Sequence, residues 1–244
     1  MIKEIPFETI HLGVIESTIP VSNKMIDEGK QENFLLNCDE QTHGRGSGNR
    51  KWVSQRGNAL TTLNIKENFL SKENLKLSPF LIGISISENL NKIAKDKFSI
   101  KWPNDILCKD NFKICGILVD KYKDFYQLSF GINLVQSPDA KEIRKGGREA
   151  CNLSLHSDII PNPLEFSKLL CKDICHKLQT YNCEKIIQEW KKHSNFKIKI
   201  SKRDENNGKL YQPIDITLDG KLKVLNEEGK EELLEPYFPF ISKI

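Results

Sequence analysis

Two segments carry residue types suited to holding an anion. The first runs Gln41-Thr42-His43-Gly44-Arg45-Gly46-Ser47-Gly48-Asn49-Arg50-Lys51-Trp52, with glycines among cations and no apolar side chain before the tryptophan. The second is Lys101-Trp102-Pro103-Asn104-Asp105, followed by Lys113-Ile114-Cys115-Gly116-Ile117-Leu118. Glycine lets backbone N–H groups approach phosphate or carboxylate oxygens, and Arg and Lys neutralise the charge, the guanidinium fork in bidentate fashion. A cation buried without a partner is costly. Arg45 and Lys113, both beside glycines, are therefore better explained by an anionic ligand than by packing.

The chain that must position these residues has 244 of them, enough for one large domain or a main domain with a small companion. It contains 37 basic and 33 acidic residues, a net charge of +4, which favours local basic patches over a surface-wide nucleic-acid footprint. No zinc-finger spacing occurs, and few residues precede Ser17, so no DNA-binding domain and no DNA partner are expected. The seven cysteines are odd in number and include no C-x-x-C, which fits free thiols in a reducing cytoplasm. Cys171, Cys175 and His176 come nearest to a metal cluster but fall in an amphipathic helical stretch, where helix packing is the simpler reading. The first residues lack the apolar core of a signal peptide, and no apolar run is long enough to span a bilayer. A cytoplasmic protein without a membrane partner is expected.

Periodicity supplies the elements. Glu16–Gly29 reads as a loop and a short helix, with Ser22 or Asn23 as N-cap. Phe34–Cys38 and Asn58–Ile65 read as strands flanking the glycine loop, and Ser78-Pro79 opens a helix through Ala94. Phe98–Trp102 is a short strand. Ile114–Tyr122 and Phe125–Leu134 pair across a turn at Lys123-Asp124. A polar loop from Ser137 to Asp158 contains the Arg144–Arg148 cluster, read as solvated. Leu164–Tyr181 and Glu184–His193 are helical. Beyond Asn195, strands are expected at Phe196–Ser201, Tyr211–Leu218, Lys221–Leu225 and Glu232–Pro236, with turns at Asp219-Gly220 and Glu228-Gly229. The expected division is a catalytic domain at 1–194 and a small domain at 195–244. The fold class is α+β: a mixed, largely antiparallel sheet with helices packed on one face, plus a small C-terminal β-barrel.

Taken together these motifs resemble the biotin–protein ligases. Gln41-x-x-Gly-Arg-Gly with Arg50-x-Trp52 is similar to the family's biotin and adenylate loop. Lys101-Trp102-Pro103-Asn104-Asp105 matches its K-W-P-N-D. Lys113-x-x-Gly116-Ile-Leu-Val-Asp120 is similar to its K-x-x-G-I-L-x-E, and Gly131-Ile132-Asn133 to its G-I-N. Glu16-Ser17-Thr18 resembles the motif that opens the biotin pocket, and Trp190 with the β-rich tail resembles the C-terminal helix and SH3-like barrel. Two departures stand out. Ser47 replaces a frequent second arginine, and Ile19-Pro20-Val21 separates Ser17-Thr18 from Ser22-Asn23, so either pair could reach the pocket, with Ser17-Thr18 favoured.

The resemblance implies a ligase that activates biotin with ATP to biotinyl-5′-AMP and transfers it to a lysine of a biotin carboxyl carrier protein, as in acetyl-CoA carboxylase. It implies Lys113 and Arg45 as catalytic cations. Biotin would be held by Ser17, Thr18, Gln41, Gly44, Arg45, Gly46, Ser47, Lys113 and Gly116. ATP would be held by Arg45, Arg50, Trp52, Asn104, Asp105, Lys113 and Asn133, with Asp105 as a Mg²⁺ ligand and a flexible Gly44–Gly48 loop closing over the adenylate. A homodimer is admitted. Trp52 reads equally as a nucleotide-stacking ring or a loop anchor, Lys101 equally as a phosphate contact or a solvated strand end, and Gly131 as a backbone-geometry residue. The competing enzyme is a lipoate or octanoate ligase or transferase of the same fold. The non-enzymatic alternative is a biotin-responsive regulator.

Overall fold

The computed structural model describes residues 5–48, 50–71, 75–143, 148–200 and 210–236. Its elements are β1 (Glu8–Ile15), α1 (Thr18–Asp27), β2 (Phe34–Gln41), β3 (Arg45–Gly46), β4 (Arg50–Lys51), β5 (Ala59–Lys66), α2 (Ser78–Ile93), β6 (Phe98–Lys101), β7 (Asp105–Cys108), β8 (Lys113–Tyr122), β9 (Phe125–Ile132), α3 (Pro163–Thr180), α4 (Cys183–His193), β10 (Gln212–Ile216), β11 (Leu222–Leu225) and β12 (Glu231–Leu234). Seven strands form one sheet in the order β1-β2-β5-β9-β8-β7-β6. Only β1 and β2 run parallel; the other neighbours are antiparallel. The expected mixed, largely antiparallel sheet is therefore present.

Successive side chains of a strand point to opposite faces, and β5 is buried on both. The Thr61 hydroxyl donates to Ser167 of α3 at 2.8 Å, whereas the Thr62 hydroxyl donates to Thr18 of α1 at 2.8 Å. Leu35, Leu63, Phe80, Leu128 and Ile174 share one core, and Ile26, Phe34, Leu36 and Phe125 share another. The expectation of helices on one face is thus corrected: α2 and α3 cover one side, with α4 against α2, and α1 covers part of the other. The central strands are apolar on both faces, which already requires two covers.

Helix starts follow local chemistry. Pro79 lies in the first turn of α2. The Asn162 side chain accepts from the Leu164 and Glu165 N–H groups at 3.0 and 3.1 Å, and Asn182 accepts from Lys185 N–H at 2.9 Å. In α1 the expected cap is corrected. The helix begins at Thr18, and the buried Ser22 hydroxyl accepts from the Asn64 amide at 3.2 Å inside the second turn.

The hairpin turns at Lys123-Asp124, Asp219-Gly220 and Glu228-Gly229 all form, with positive φ at Lys123, Gly220 and Gly229. Strands β10–β12 make a three-stranded antiparallel sheet. It is not held apart from the main unit. The Trp102 indole donates to the Gly220 carbonyl at 3.1 Å, and a Cβ on Gly220 would stand 2.6 Å from the Phe80 ring. Leu222 and Val224 join the core that contains Phe80. Of the strand expected at 196–201, the described part forms only an Ile200–Tyr211 bridge. A barrel would draw on residues 201–209 and 237–244, which lie outside the described residues.

All seven cysteines are free. Cys171 and Cys175 are buried in the α3 core while His176 is exposed, so helix packing accounts for them. Among the described residues, no helix is long and apolar enough to cross a membrane.

Candidate active site

Four residues form a row across the sheet. Lys101 of β6 pairs with Asp105 of β7, Asp105 with Gly116 of β8, and Gly116 with Gly131 of β9. Gly131 pairs in turn with Leu60, two residues from Thr62, which places the row on the α1 face. Lys113 stands at an odd spacing from Gly116, so a regular strand would turn it to the opposite face. Between β7 and β8 the register shifts instead: Ile106 pairs with Cys115, but Leu107 pairs with Lys113. The extra residue is Ile114, and it enters the core together with Cys115. A bulge of this kind re-aims a side chain, and here it returns Lys113 to the row.

Lys113 Nζ then meets Asp105 Oδ1 at 2.5 Å and lies 5.5 Å from the centre of the Trp52 ring. Burial pushes the Asp105 carboxyl up, but the charges of Lys113, Lys101 and Arg50 outweigh it and hold the group below its ordinary value. Lys101 moves the other way. Burial, helped by Arg148, Lys113 and Arg50 and opposed by Asp105, lowers its ammonium below the ordinary lysine value. One carboxylate among several cations leaves an excess of positive charge at the edge of the cleft.

The inner end of the cleft is polar. Gln41 Oε1 accepts from the Ser17 hydroxyl at 3.1 Å, the Thr18 N–H at 2.8 Å and the Thr18 hydroxyl at 3.3 Å. The glutamine thus satisfies the first N–H of α1 in place of a local cap. Its Nε2 donates to Ser54 Oγ at 2.9 Å. Thr18 connects through Thr62 to Ser129, 2.9 Å further on. Of the two serine pairs, Ser17-Thr18 lines the cleft and Ser22-Asn23 does not.

The glycine loop is a short hairpin, with Arg45 paired to Lys51 and Gly46 to Arg50. At Gly44 a Cβ would lie 2.5 Å from the Trp52 carbonyl, so only glycine permits that crossing. The Arg50 guanidinium folds onto Ser47, donating from Nε to the Ser47 carbonyl at 2.7 Å and from Nη2 to its hydroxyl. The serine that replaces the frequent arginine therefore anchors Arg50. Trp52 closes the hairpin by lying over the glycine pair. A Cβ would stand 2.9 Å from its ring at Gly116 and 2.7 Å at Gly131. Gly131 is thus more than a backbone-geometry residue, since its missing side chain is the seat of Trp52. The buried Trp52 Nε1 has no hydrogen-bond partner among the described residues.

The structure brings Ser17, Thr18, Gln41, Arg45, Gly46, Ser47, Trp52, Asn104, Lys113 and Gly116 together around one cleft. Gly44, Arg50 and Asp105 support it from immediately behind. Asn104 lines it while donating to the Ile117 carbonyl at 2.7 Å, so its side chain is tied to β8. Asn133 is set apart: buried, it donates to the Cys151 carbonyl at 3.1 Å. Asp105 does not fit the role of a Mg²⁺ ligand, because Lys113 engages it and Lys101 and Arg50 flank it. No other carboxylate lines the cleft among the described residues. Of the Arg144–Arg148 cluster only Arg148 is described; it donates to the Asn111 carbonyl at 2.9 Å.

Thr62, Ser129 and Ser54 were not assigned from sequence. Thr62 and Ser129 had a signal, being buried polar positions that alternate with apolar ones, Thr62 with Asn64 on β5 and Ser129 with Gln127 on β9.

Comparison with known proteins agrees with this arrangement. Residues 13–134 match the model of the biotin/lipoate A/B protein ligase family. Over 135 residues the chain is 28% identical to the bifunctional ligase/repressor BirA of Bacillus subtilis, covering 53% of this chain and 41% of that protein. Over 161 residues it is 27% identical to the biotin--[acetyl-CoA-carboxylase] ligase of Paracoccus denitrificans, covering 62% of this chain and 66% of that one. The alignments thus span under half to about two thirds of these curated relatives. The biotin protein ligase of Aquifex aeolicus, solved in complex with biotin and ATP, superposes with a TM-score of 0.74 at 26% identity, covering 93% of this chain and 95% of that one.

Proposed function

This chain belongs to the biotin/lipoate A/B protein ligase family, and from that premise we propose that it is a biotin–protein ligase. The reaction we assign has two steps. A carboxylate oxygen of biotin attacks the α-phosphorus of ATP, and the bond to the departing pyrophosphate breaks, leaving biotinyl-5′-AMP. The amine of a carrier lysine then attacks the acyl carbon, AMP leaves, and an amide remains on a carboxyl carrier protein.

The observation that carries this reading is the bulge that delivers Lys113 to the row beside Asp105, at the mouth of a hydroxyl-lined cleft. The first step joins two anions, so its barrier falls when fixed cations meet the charge of the transition state. Lys113 would stand between carboxylate and α-phosphate, with Arg45 and Lys101 on either side. Asp105 positions Lys113, and Mg²⁺ would enter on the nucleotide. Positioning supplies much of the remaining acceleration, since no covalent enzyme intermediate is required.

Biotin is favoured over lipoate by the inner end of the cleft. Ser17, Thr18 and Ser129 line it and offer donors and acceptors that a cyclic urea can use. The dithiolane ring of lipoate carries no such groups, so these hydroxyls would keep only the bonds they already make to Gln41 and to the threonines. A cytoplasmic setting and a closed C-terminal barrel belong to the same reading. The test is incubation of the purified chain with ATP and either biotin or lipoate, followed by separation of the acyl-adenylates and by mass analysis of a carrier domain. Biotinyl-AMP and a biotinylated carrier lysine are expected. Adenylation of lipoate alone would refute the assignment.

A further inference from the structure

Behind the strand that carries Lys113, three metal-ligating side chains converge without a task in the reaction above. Cys108 ends β7, Cys151 follows the bridge between Lys113 and Ala150, and His156 follows the 3-10 turn Leu153–Leu155. The two sulfurs and one ring nitrogen of the histidine all lie within 4.8 Å of one another. Both cysteines are buried. His156 Nε2 is also buried and has no hydrogen-bond partner among the described residues. The ring is held edge-on to Phe98, with centroids 5.4 Å apart at 88°. Zn–S bonds of about 2.3 Å in a tetrahedron put two sulfurs roughly 3.8 Å apart. The side chains therefore need only a small inward movement to meet one ion.

We propose that Cys108, Cys151 and His156 form a binding site for a borderline-soft divalent metal of the zinc class. Two thiolates and a neutral imidazole cancel the charge of such an ion and match its preference for sulfur and nitrogen. The three side chains supply three ligands, and a water or a further side chain would complete the tetrahedron. None of the three lines the cleft of the proposed reaction, which makes this a structural centre rather than a catalytic one. It would tie the β7–β8 turn to the segment around Cys151. That segment flanks Lys113 on both sides: Lys113 N–H donates to the Glu149 carbonyl at 2.7 Å, and Cys151 N–H donates to the Lys113 carbonyl at 3.0 Å.

The test is titration of the reduced, metal-stripped full chain with Co²⁺, followed by displacement with Zn²⁺. One equivalent of Co²⁺ should produce a thiolate charge-transfer band and tetrahedral ligand-field absorption, both bleached by Zn²⁺. Cys108→Ser and His156→Ala should each lose the band, and Cys183→Ser, half-buried at the start of α4 and away from the three ligands, should keep it. Circular dichroism of His156→Ala, the milder change, confirms that a lost band is not a lost fold. Absence of the band in the intact chain overturns the proposal, as does a band that His156→Ala retains.

Discussion

Lys113 Nζ and Asp105 Oδ1 stand 2.5 Å apart, and a single bulged residue makes that meeting possible. Without it Lys113 would enter the core occupied by Ile114 and Cys115. The pair sets the Asp105 carboxylate against an ammonium group.

Asp105→Asn should accordingly lower the rate of pyrophosphate release while leaving the Mg²⁺ concentration for half-maximal activity unchanged. The neutral amide keeps the shape but loses the charge that orients Lys113. A marked rise in the Mg²⁺ requirement would instead make Asp105 a metal ligand. The carboxyl is held below its ordinary value, so the pair's contribution to stability is present above that value. It is lost only as pH falls through the lower folded value.

Lys101 predicts a pH dependence of the opposite kind. Burial, with Arg148, Lys113 and Arg50, lowers its ammonium below the ordinary lysine value. Bound phosphate supplies opposite charge and raises it again. Nucleotide binding should therefore take up protons in alkaline buffer, and affinity should fall as pH rises through the lowered value. Calorimetry in two buffers of different ionisation heat measures the uptake. Binding heats independent of buffer would place Lys101 away from the phosphates.

Trp52 rests on Gly116 and Gly131, and Gly131→Ala would put a methyl carbon 2.7 Å from its ring. The ring must leave, with an overpacking cost of about 1–3 kcal/mol if it resists. The indole emission should shift to the red, relative to a Trp52→Phe control, and the adenylate should dissociate faster. An emission spectrum and off-rate equal to those of the parent would show that the seat does not matter.

The hydroxyl chain from Thr18 through Thr62 to Ser129 supports the inner end of the cleft. Thr62→Val keeps the shape and breaks both bonds, depriving the buried Ser129 hydroxyl of its Thr62 partner at about 1–3 kcal/mol. Biotin affinity measured by calorimetry should fall about tenfold or more, with ATP affinity unchanged. Equal losses for both ligands would point to a general loss of structure.

Much of this was legible in the residues. Most strands and helices follow from periodicity, and composition alone marks the glycine loop, Lys101–Asp105 and Lys113–Gly116. The two-sided cover of the sheet was missed, because apolar strands such as β5 do not say which element covers which face. The Ser22 cap failed because Gln41, distant in sequence, caps α1 through Thr18. The bulge at Ile114 was hidden as well, since nothing in Lys-Ile-Cys-Gly marks a register shift. Likewise the Arg50–Ser47 contact depends on a hairpin, Arg45–Gly46 against Arg50–Lys51, that the run of glycines does not mark.

The most direct measurement is single-turnover formation of biotinyl-5′-AMP by Lys113→Ala, with biotin and ATP saturating. Removing a fixed group that meets transition-state charge typically costs on the order of 10²–10³ in rate. A loss of that size, with the fold intact by circular dichroism and biotin still bound, is the predicted result. Adenylate formation at the parent rate would contradict the account.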